Sequence, residues 1–486
     1  MRLRICFVTS ETTPYAKTGG LADVSGALLK YLHAGGHDIR LFMPAYAAIP
    51  RDAFGLEPVT GLQQLSVQIG YRRYEFSILT PRADGARNVV YLVECPEAFG
   101  RAALYTTDPD EHRRFLVLTH AAFICCQRLQ FAPQIMHFND WHAAAGTLLR
   151  RTQYAWDRLF QDARTVLTVH NIGYQGIIAA SSLADLLPTG ETHLLDQRAF
   201  AAGQINLLGT GLQYADLITT VSPTYAREIQ TPEYGAGLDG VLRARSADVI
   251  GILNGVDYDD WDPRHDRHLP LQFGPDTLER KARLKQQLLQ RLRLDHAYNT
   301  ALIGSVGRLA EQKGLDLLFE ALPRLMPSRQ FNLVILGSGE ARYEAFLQRM
   351  QQLFPSRVHF HAGYSDELAH WIEAASDMFL MPSRYEPCGL NQMYSMRYGT
   401  VPLVRRTGGL ADSVRHFDPV TGGDGTGVVF NDYDAGAVMW AVGYALDLYR
   451  DPAIWQKLVR NGMAQDFSWS RQVPRYVDAY ERLLRS

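Results

Sequence analysis

The chain has 486 residues, of which 47% are hydrophobic and 21% charged, and its formal net charge is -2. This length exceeds what one compact core normally holds, so it predicts two domains, and the composition is that of a folded globular protein. The near-neutral charge argues against a nucleic-acid-binding protein, because affinity for a phosphate backbone needs a basic excess.

The first half of the chain alternates short β-branched runs with segments of helical periodicity. A helix is predicted to begin at Leu21 and to end at Gly35-Gly36. Strands that alternate with helices indicate crossover connections and therefore a parallel sheet. The predicted strands of this half are "RICFVTS", "HDIRLFMP", "NVVYLVE", "QIMHFN", "TVLTVH", "DLITTVS" and "DVIGILN".

The same alternation restarts in the second half, with helices predicted from Leu315 to Leu325 and from Ala341 to Leu353. Its predicted strands are "ALIGSVG", "FNLVILG", "RVHFHAG", "MFLMPS" and "VPLVRR". Between the two series, "GVDYDDWDPRHDRHLP" is rich in Asp and Pro and poor in periodicity, so we predict a linker from Asp257 to Pro270. The fold class is thus α/β, with two Rossmann-like doubly wound parallel-sheet domains, residues 1–256 and 257–467, facing each other across a cleft.

The sequence contains no segment that predicts a membrane or metal function. The start "MRLRICFVTS" has no apolar signal region and no stretch approaches a membrane span, so we expect a cytoplasmic protein without a membrane partner. The cysteines are odd in number and scattered, which predicts thiols. The acidic run "DYDDWD" lies in the predicted linker and not at a strand end, and we predict no metal ligand.

Two glycines and a lysine follow the first predicted strand, in "TSETTPYAKTGGLADV". Unpaired backbone N–H groups and the dipole at a helix N-terminus attract an anion, and glycine lets the backbone approach it closely. Lys17 adds a cation, so the loop is suited to phosphate. A flexible turn before an ordinary helix is the alternative.

Two further loops of this kind follow strands in the second half. In "SVGRLAEQKGLDLL", Arg308 and Lys313 are suited to a diphosphate, unless they are ordinary surface charges. In "MPSRYEPCGLNQMYSMRYG", Glu386 precedes a predicted helix whose first N–H groups are available to hydroxyl or phosphate oxygens. Glu386 is suited to accept bonds from sugar hydroxyls or to stabilise positive charge; its alternative role is to cap that helix.

Seven motifs follow one another along nearly the whole chain. They are "KTGGLADV", "HFNDWHAA", "TVHNIGYQG", "LNGVD", "VGRLAEQKG", "SRYEPCGLNQ" and "RTGGLADSV". In sequence and order they resemble the bacterial glycogen synthases and plant starch synthases. The resemblance implies a GT-B fold and transfer of glucose, with retention of configuration, from a nucleotide sugar to the non-reducing end of an α-1,4-glucan. It also implies that the final helix, in residues 468–486, crosses back onto the N-terminal domain.

The resemblance also implies residues that contact the donor. Lys17 and the Gly20 backbone resemble the family's contact from the first domain to the donor phosphates. Arg308 and Lys313 resemble the cations that neutralise the leaving diphosphate. Tyr364, in "HAGYSD", is similar to the aromatic residue that packs against the base.

Further positions resemble the family's contacts to glucose and phosphate. Glu386 and the backbone of Cys388 and Gly389 resemble a cradle for the glucose hydroxyls, and Leu390 and Asn391 fall where the family presents groups to phosphate. The remaining matches are His170 and Asn254 as polar contacts to glucose, Asp140 near the reaction centre, and Thr407 with Gly408 and Gly409 as a second phosphate-side loop.

Two of these residues have an alternative, purely structural role. His170 would otherwise be a structural histidine, and Asp140 would cap the helix that follows it. Many related retaining transferases carry a second Glu in the helix after Glu386. In this chain the corresponding place is near Tyr394, and no Glu stands there. Starch synthases look similar in this respect, so the departure removes only a candidate ribose contact.

Several alternatives remain at this stage. The length resembles that of bacterial members, which favours ADP-glucose over UDP-glucose as a substrate, with no cofactor; a homo-oligomer is also open. Front-face attack is favoured over a double displacement. The alternative functions are a UDP-glucose-dependent transferase acting on another acceptor, a non-catalytic glucan-binding protein, an oxidoreductase and a glucan phosphorylase. An oxidoreductase is disfavoured because "TSETTPYAKTGG" lacks the GxGxxG fingerprint. A glucan phosphorylase would be longer and would hold a pyridoxal lysine.

Overall fold

The computed structural model describes residues 2–82, 89–295, 297 and 299–485. Within it the chain divides into two compact units. Unit 1 consists of Met1–Val221, Ala226–Ile252 and Trp469–Ser486, and unit 2 of Ser222–Tyr225 and Leu253–Ser468. Unit 2 therefore begins a few residues before the boundary predicted after residue 256, and the last helix of the chain belongs to unit 1.

Unit 1 is built around one large sheet. The strands of this part of the chain are β1 (Arg4–Val8), β2 (Asp38–Pro44), β3 (Leu56–Pro58), β4 (Leu65–Ile69), β5 (Arg72–Pro81), β6 (Val90–Glu94), β7 (Ile135–Asn139), β8 (Arg164–Val169), β9 (Ile177–Ala179), β10 (Gln204–Asn206), β11 (Leu217–Thr220) and β12 (Val249–Gly251). The helices are α1 (Gly20–Ala34), α2 (Pro96–Phe99), α3 (Glu111–Arg128), α4 (Asp140–Arg151), α5 (Leu183–Leu186), α6 (Gln197–Ala201), α7 (Leu207–Tyr214), α8 (Pro223–Glu228) and α9 (Asp239–Ala244).

The described strands of this sheet lie in the order β12-β11-β8-β7-β1-β2-β6-β5-β3, and β4 also pairs with β5. The pairs from β12 to β6 are parallel, whereas β3, β4 and β6 run antiparallel to β5. Strands are added in one direction from β1 through β2 and in the other from β7 onward. The switch point therefore lies between β1 and β7, where α/β sheets bind ligands beyond the carboxyl ends of the strands.

Unit 2 repeats this plan with a smaller sheet. Its strands are β13 (Ala301–Val306), β14 (Phe331–Gly337), β15 (Val358–Ala362), β16 (Met378–Met381), β17 (Val401–Arg405) and β18 (Val428–Phe430), all parallel and in the order β15-β14-β13-β16-β17-β18. Its helices are α10 (Leu278–Arg291), α11 (Leu315–Ser328), α12 (Ala341–Leu353), α13 (Asp366–Ala375), α14 (Asn391–Arg397), α15 (Gly408–Ser413), α16 (Ala435–Tyr449) and α17 (Pro452–Met463). Here the switch point lies between β13 and β16.

The core of each unit follows from the hydrophobic pattern of its strands. All seven residues of β14 are buried, as expected for a strand that helices cover on both faces. Helix α1 instead buries one stripe, which includes Leu21, Val24 and Leu28, at the spacing of an amphipathic helix. The helix ends where Gly36 adopts a φ of 84°, a conformation that favours glycine.

The last helix, α18 (Trp469–Leu483), packs in unit 1 beside α1. It contributes buried aromatic rings to the core of that unit, and the Tyr480 hydroxyl hydrogen-bonds to Nδ1 of His137 on β7 at 2.7 Å. Unit 1 is therefore discontinuous in sequence, because its final helix follows unit 2 in the chain.

Two features differ from the sequence-based expectations. The segment from Asp257 to Pro270 is not a loose linker, because it lies within unit 2 and its Asp262 and Asp266 carboxylates are buried. Asp262 is held there by Arg264 and Arg397. The antiparallel strands β3 to β5, the β9–β10 pair and the parallel strand β18 were not predicted, since they are short or lack a strong hydrophobic run.

Two further findings concern helices and cysteines. In the part of the chain that the structure describes, no helix is long and apolar enough to cross a membrane. The cysteines are free, as predicted, and they are also buried. In unit 1, Cys6, Cys125 and Cys126 lie near one another, and burial holds the pKa of the Cys6 thiol well above its usual value.

Candidate active site

In unit 1 the loop after β1 is organised by a buried carboxylate, that of Glu11. Glu11 accepts hydrogen bonds from the Thr18 amide and hydroxyl and from the Tyr105 hydroxyl, at 2.5, 2.6 and 2.5 Å. The Gly19 amide approaches the same carboxylate at 3.4 Å. The backbone amides of residues 18 and 19 are therefore directed at the Glu11 carboxylate. The next backbone donor along the chain is the Gly20 amide, in the first turn of α1.

Lys17 lies in the same loop, and its ammonium is 2.8 Å from the Asp23 carboxylate of α1. The Lys17 side chain is also substantially exposed. Exposed ion pairs of this kind contribute little stability and exchange partners readily. Lys17 and the Gly20 amide thus belong to one loop and the helix start that follows it, and the Lys17 ammonium is paired with Asp23.

The other side of the unit 1 switch point carries Asp140, directly after β7. Asp140 has a φ of 54°, which is uncommon for a residue other than glycine and has an energetic cost that the surrounding structure must offset. Its carboxylate accepts a hydrogen bond from the His170 amide at 2.7 Å, so it joins the ends of β7 and β8. Burial raises the pKa of Asp140 to about 7, against the opposing effect of that backbone bond.

His170 is held by Asn139, a residue that was not predicted to belong to the site. Asn139 donates from Nδ2 to the Val8 carbonyl at 3.0 Å, which leaves its Oδ1 to face the His170 ring. His170 Nε2 therefore donates to Oδ1, at 3.0 Å, and Nδ1 of the neutral ring is an acceptor. Burial lowers the pKa of His170 to about 3, so the ring is neutral at physiological pH.

In unit 2 the loops at the switch point meet through an ion pair. The Lys313 ammonium lies 2.9 and 2.7 Å from the two oxygens of the buried Glu386 carboxylate. The Ser383 hydroxyl donates to the same carboxylate at 2.9 Å. These residues follow β13 and β16, so the predicted cation and the predicted acid form one cluster. Arg308 follows β13 as well and is exposed.

The glycine-rich loop after β17 packs directly on the loop that holds Glu386. The Gly409 amide donates to the Glu386 carbonyl at 3.1 Å. A Cβ atom on Gly408 would lie 1.9 Å from the Glu386 carbonyl oxygen, and one on Gly409 would lie 2.1 Å from that of Cys388. Only glycine permits this approach, so Thr407, Gly408 and Gly409 belong to the same cluster as Glu386.

The first turn of α14 is also tied into this cluster. Asn391 donates from Nδ2 to the carbonyl of Val306, the last residue of β13, at 2.8 Å. Gly389, just before the helix, has a φ of 69°. Burial raises the pKa of the Cys388 thiol, which keeps the thiol neutral and makes it unsuited to act as a nucleophile. Leu390 is the N-cap residue of α14.

Two predicted contacts remain in unit 2, and one of them, Asn254, lies against the cluster because its backbone hydrogen-bonds to the Cys388 thiol. Asn254 is buried, and no partner for its Oδ1 lies among the described residues. Tyr364 follows β15 and is 77% exposed, and its hydroxyl donates to the Asp366 carboxylate at 3.0 Å. An exposed ring at the carboxyl end of a strand is available to a flat ligand. Glu11, Asn139 and Ser383 were not predicted from the sequence, although each lies within one of the predicted motifs or loops.

Comparison with protein families matches both halves of the chain. Residues 4–244 match the starch synthase catalytic domain, and residues 289–461 match the group 1 glycosyl transferases. The chain is 44% identical to a glycogen synthase of Anaeromyxobacter dehalogenans over 99% of its own length and 100% of that protein. It is 42% identical to glycogen synthase 1 of Geobacter sulfurreducens, with coverage of 100% and 97%.

Solved structures give the same result. The catalytic domain of starch synthase IV from Arabidopsis thaliana, bound to ADP and acarbose, is similar with a TM-score of 0.91 and 32% identity over the full length of both chains. A sucrose-phosphate synthase from Thermosynechococcus elongatus has a TM-score of 0.63 at 17% identity, also over both chains, which shows a shared fold.

The fold and the matched families define a glycosyltransferase of the GT-B class. More particularly, the chain belongs to the family of bacterial glycogen synthases and plant starch synthases. Its function is the glucosyl transfer that defines this family, from a nucleotide-sugar donor to a glucan acceptor.

Proposed function

We propose that the chain transfers glucose from ADP-glucose to the non-reducing end of an α-1,4-glucan, with retention of configuration, and so elongates glycogen. The observation that carries the choice of ADP-glucose is the similarity, over the whole chain, to a starch synthase structure that contains ADP and acarbose. The length shared with bacterial glycogen synthases supports the same choice. A cytoplasmic location is part of this proposal.

Arg308 and Lys313 stabilise the leaving diphosphate in the proposed reaction. Departure of a diphosphate from the anomeric carbon leaves negative charge on the departing oxygen. Fixed cations at that oxygen stabilise the transition state more than the ground state, and this difference raises the rate. Lys313 is suited to the task because Glu386 orients its ammonium in advance. We propose that these cations act in place of a divalent metal and that no cofactor takes part.

In unit 1 we assign contacts to the transferred glucose to His170 and Asp140. His170 offers the Nδ1 lone pair of a neutral ring to a sugar hydroxyl, because Asn139 holds its other nitrogen. Asp140, when ionised, stabilises the positive charge that develops on the sugar ring. Its backbone conformation supports a functional role, since strained residues are concentrated at active sites.

The other assignments in this proposal follow the predicted roles. Lys17 and the Gly20 amide contact the donor phosphates, Tyr364 packs against the adenine base, and Asn254 contacts the glucose. Glu386 and the backbone of Cys388, Gly389, Leu390 and Asn391, with the loop at Thr407, hold the glucose hydroxyls and phosphate oxygens.

We favour front-face attack as the route to retention. A double displacement needs an uncommitted carboxylate that attacks the anomeric carbon. The Glu386 carboxylate already accepts hydrogen bonds from Lys313 and Ser383, which reduce its nucleophilicity. In a front-face reaction, the leaving phosphate itself accepts the proton of the incoming glucan hydroxyl.

The test is incorporation of labelled glucose into glycogen from ADP-glucose and, in parallel, from UDP-glucose. Each reaction is run without added metal and again with a chelator. We expect fast transfer from ADP-glucose that survives chelation, and slow transfer from UDP-glucose.

The other outcomes each overturn a separate part of the proposal. Transfer from UDP-glucose alone would overturn the donor assignment. Loss of activity on chelation that added Mg²⁺ restores would overturn the cationic leaving-group site. No transfer from either donor, with glycogen binding retained, would favour a glucan-binding protein.

A further inference from the structure

Three potential metal ligands come together in unit 2, in a cluster that the proposed reaction does not use. His268 lies in the segment from Asp257 to Pro270, and Asp366 and His370 lie in the first turns of α13. One ligand atom from each of the three lies within 4.8 Å of the other two. His268 Nε2 is 3.4 Å from Oδ2 of Asp366. We call these three residues the His-Asp-His cluster.

His370 is the member whose environment points to a ligand. Its side chain is fully buried, and its Nδ1 is 2.8 Å from Oδ2 of Asp266. The other ring nitrogen, Nε2, is buried without a hydrogen-bond partner among the described residues. A buried imidazole nitrogen without a partner is costly, so its presence in a cluster of potential ligands indicates that another group satisfies it.

Asp266 determines which nitrogen of His370 is left for that group. A carboxylate only accepts hydrogen bonds, so the proton of the neutral ring lies on Nδ1 and the lone pair lies on Nε2. Asp266 is itself held in place, because it accepts bonds from the Tyr398 hydroxyl at 2.6 Å and from the His268 amide at 2.8 Å. A carboxylate that orients the far nitrogen of a histidine is the usual second layer of a zinc site.

We propose that the His-Asp-His cluster binds a divalent transition-metal ion of the zinc type. Two imidazole nitrogens and one carboxylate oxygen are ligands that Zn²⁺ accepts, with water in the fourth position, whereas Mg²⁺ and Ca²⁺ prefer oxygen ligands alone. Ligand atoms at zinc-bond lengths in a tetrahedron lie about 3.4 Å apart. The pair formed by His268 and Asp366 matches this spacing, and both side chains are partly exposed. The Arg267 guanidinium, whose Nε lies 3.4 Å from His268 Nε2, would have to move aside for the ion.

A bound ion would connect two parts of unit 2 that are distant in sequence. His268 belongs to the segment that opens the unit, and Asp366 and His370 belong to α13. The Asp366 carboxylate also accepts the Tyr364 hydroxyl, so the ion would share a ligand with the predicted base contact. The ion takes no part in the transfer of glucose, and we expect its removal to lower thermal stability without abolishing activity.

The experiment is a calorimetric titration of the full-length protein, stripped with chelator, with Zn²⁺ alone. We expect one ion per chain and a rise in melting temperature on binding. His268→Ala should weaken binding at least tenfold, and Asp266→Asn, which alters only the orienting carboxylate, should weaken it by roughly 10- to 100-fold. The matched control is His265→Ala, because His265 lies in the same segment, is 52% exposed and is not a member of the cluster. It should bind as the parent protein does.

Co²⁺ supplies a readout that a merely structural role for these residues would not change. Tetrahedral nitrogen and oxygen coordination gives Co²⁺ a visible absorption band, which should appear in the parent protein and in His265→Ala and be absent in Asp366→Asn. Circular dichroism checks that each variant is folded. Absence of zinc binding by the parent, or equal affinity in the His268→Ala and His265→Ala variants, would overturn the proposal. Neither result would bear on glucose transfer, which is measured separately.

Discussion

Lys313 and Glu386 form a close ion pair in which one ammonium reaches both carboxylate oxygens. Glu386 is buried and Lys313 is partly exposed. The ion pair therefore holds the Lys313 ammonium in a fixed orientation at the edge of the cluster. Such preorganisation is what an enzyme needs at a position where negative charge develops, because no reorganisation is then required during the reaction.

We expect Lys313→Ala to reduce kcat by about 10²- to 10³-fold, the usual effect of removing one donor that stabilises a developing anion. Steady-state kinetics with ADP-glucose measures this, and circular dichroism checks that the variant is folded. The matched control is Lys457→Ala, since Lys457 is a surface lysine that donates to the Gly422 carbonyl at 2.8 Å. Near-normal turnover in Lys313→Ala would contradict the assignment.

Asp140 supplies a prediction about pH. Its pKa in the folded protein is about 7, above the usual value of 3.8. Between about pH 4 and pH 7 the folded state therefore binds a proton that the unfolded state has lost, so this residue makes the free energy of unfolding fall as pH rises through that range. Activity should change in the opposite sense, because the ionised carboxylate stabilises positive charge on the sugar.

We expect kcat/KM to rise with pH through about 7 and to lose this limb in Asp140→Asn. Urea unfolding of the same two proteins provides a second measurement: the stability of the asparagine variant relative to the parent should increase between pH 4 and pH 7 and then level off. Identical pH profiles for activity and for stability in both proteins would show that Asp140 does not titrate in this range.

At the scale of elements, the loops after the strands of unit 2 are positioned by contact with one another. The loop after β17 lies against the loop after β16, and Gly408 and Gly409 make that approach possible. The Gly409 amide adds a hydrogen bond to the Glu386 carbonyl. The position of Glu386 therefore depends on a neighbouring loop that is distant in sequence.

Gly409→Ala should push the two loops apart, because the new Cβ atom would lie 2.1 Å from the Cys388 carbonyl oxygen and 2.5 Å from the Cys388 Cα. Displacements of about 1 Å in an active site reduce activity by roughly 10²-fold, and we expect a loss of that order. The control is Gly240→Ala in α9, where the nearest atom would be 3.8 Å away. Activity assays with both variants test this, and normal activity in Gly409→Ala would contradict it.

Most strands were predicted within one or two residues of their observed ends, because a parallel strand that is buried on both faces leaves a continuous hydrophobic run in the sequence. The strand "FNLVILG" coincides with β14. The prediction of a linker failed for the opposite reason. Asp and Pro resemble a solvated loop, but the Asp262 and Asp266 carboxylates are buried with Arg and His partners that only the fold supplies.

At the scale of the whole molecule, unit 1 is completed by the end of the chain. Tyr480 on α18 is buried, and its hydroxyl meets Nδ1 of His137 on the central strand β7. His137 Nε2 is bonded to the Thr168 hydroxyl, and burial lowers the pKa of the His137 ring to about 3. The last helix thus satisfies a polar group in the middle of the sheet.

We expect Tyr480→Phe to destabilise the protein by about 1–3 kcal/mol, since it leaves the ring in place but deprives a buried nitrogen of its partner. Chemical unfolding of the variant and the parent measures the difference. The control is Tyr71→Phe, because Tyr71 is 97% exposed and its hydroxyl should contribute little. Equal stability of Tyr480→Phe and the parent would show that this bond is not needed.

The residues of the candidate site were predicted largely from the sequence. Its cations, its acid and its glycines lie in short motifs directly after strands. Such local motifs can be recognised without knowledge of the fold. Lys17, His170, Lys313 and Glu386 were all predicted in this way, and their functional roles remain predictions.

The partners of those residues could not be found in the same way. Glu11 binds Tyr105, Asn139 orients His170, Lys313 pairs with Glu386, and Asp266 orients His370. Each pair joins residues that lie from about thirty to more than a hundred positions apart. Periodicity and propensity act over a few residues, so they determine strands, helices and loop chemistry. Which side chains meet depends on the order in which the strands are placed in the sheet, and that order exists only in the tertiary structure.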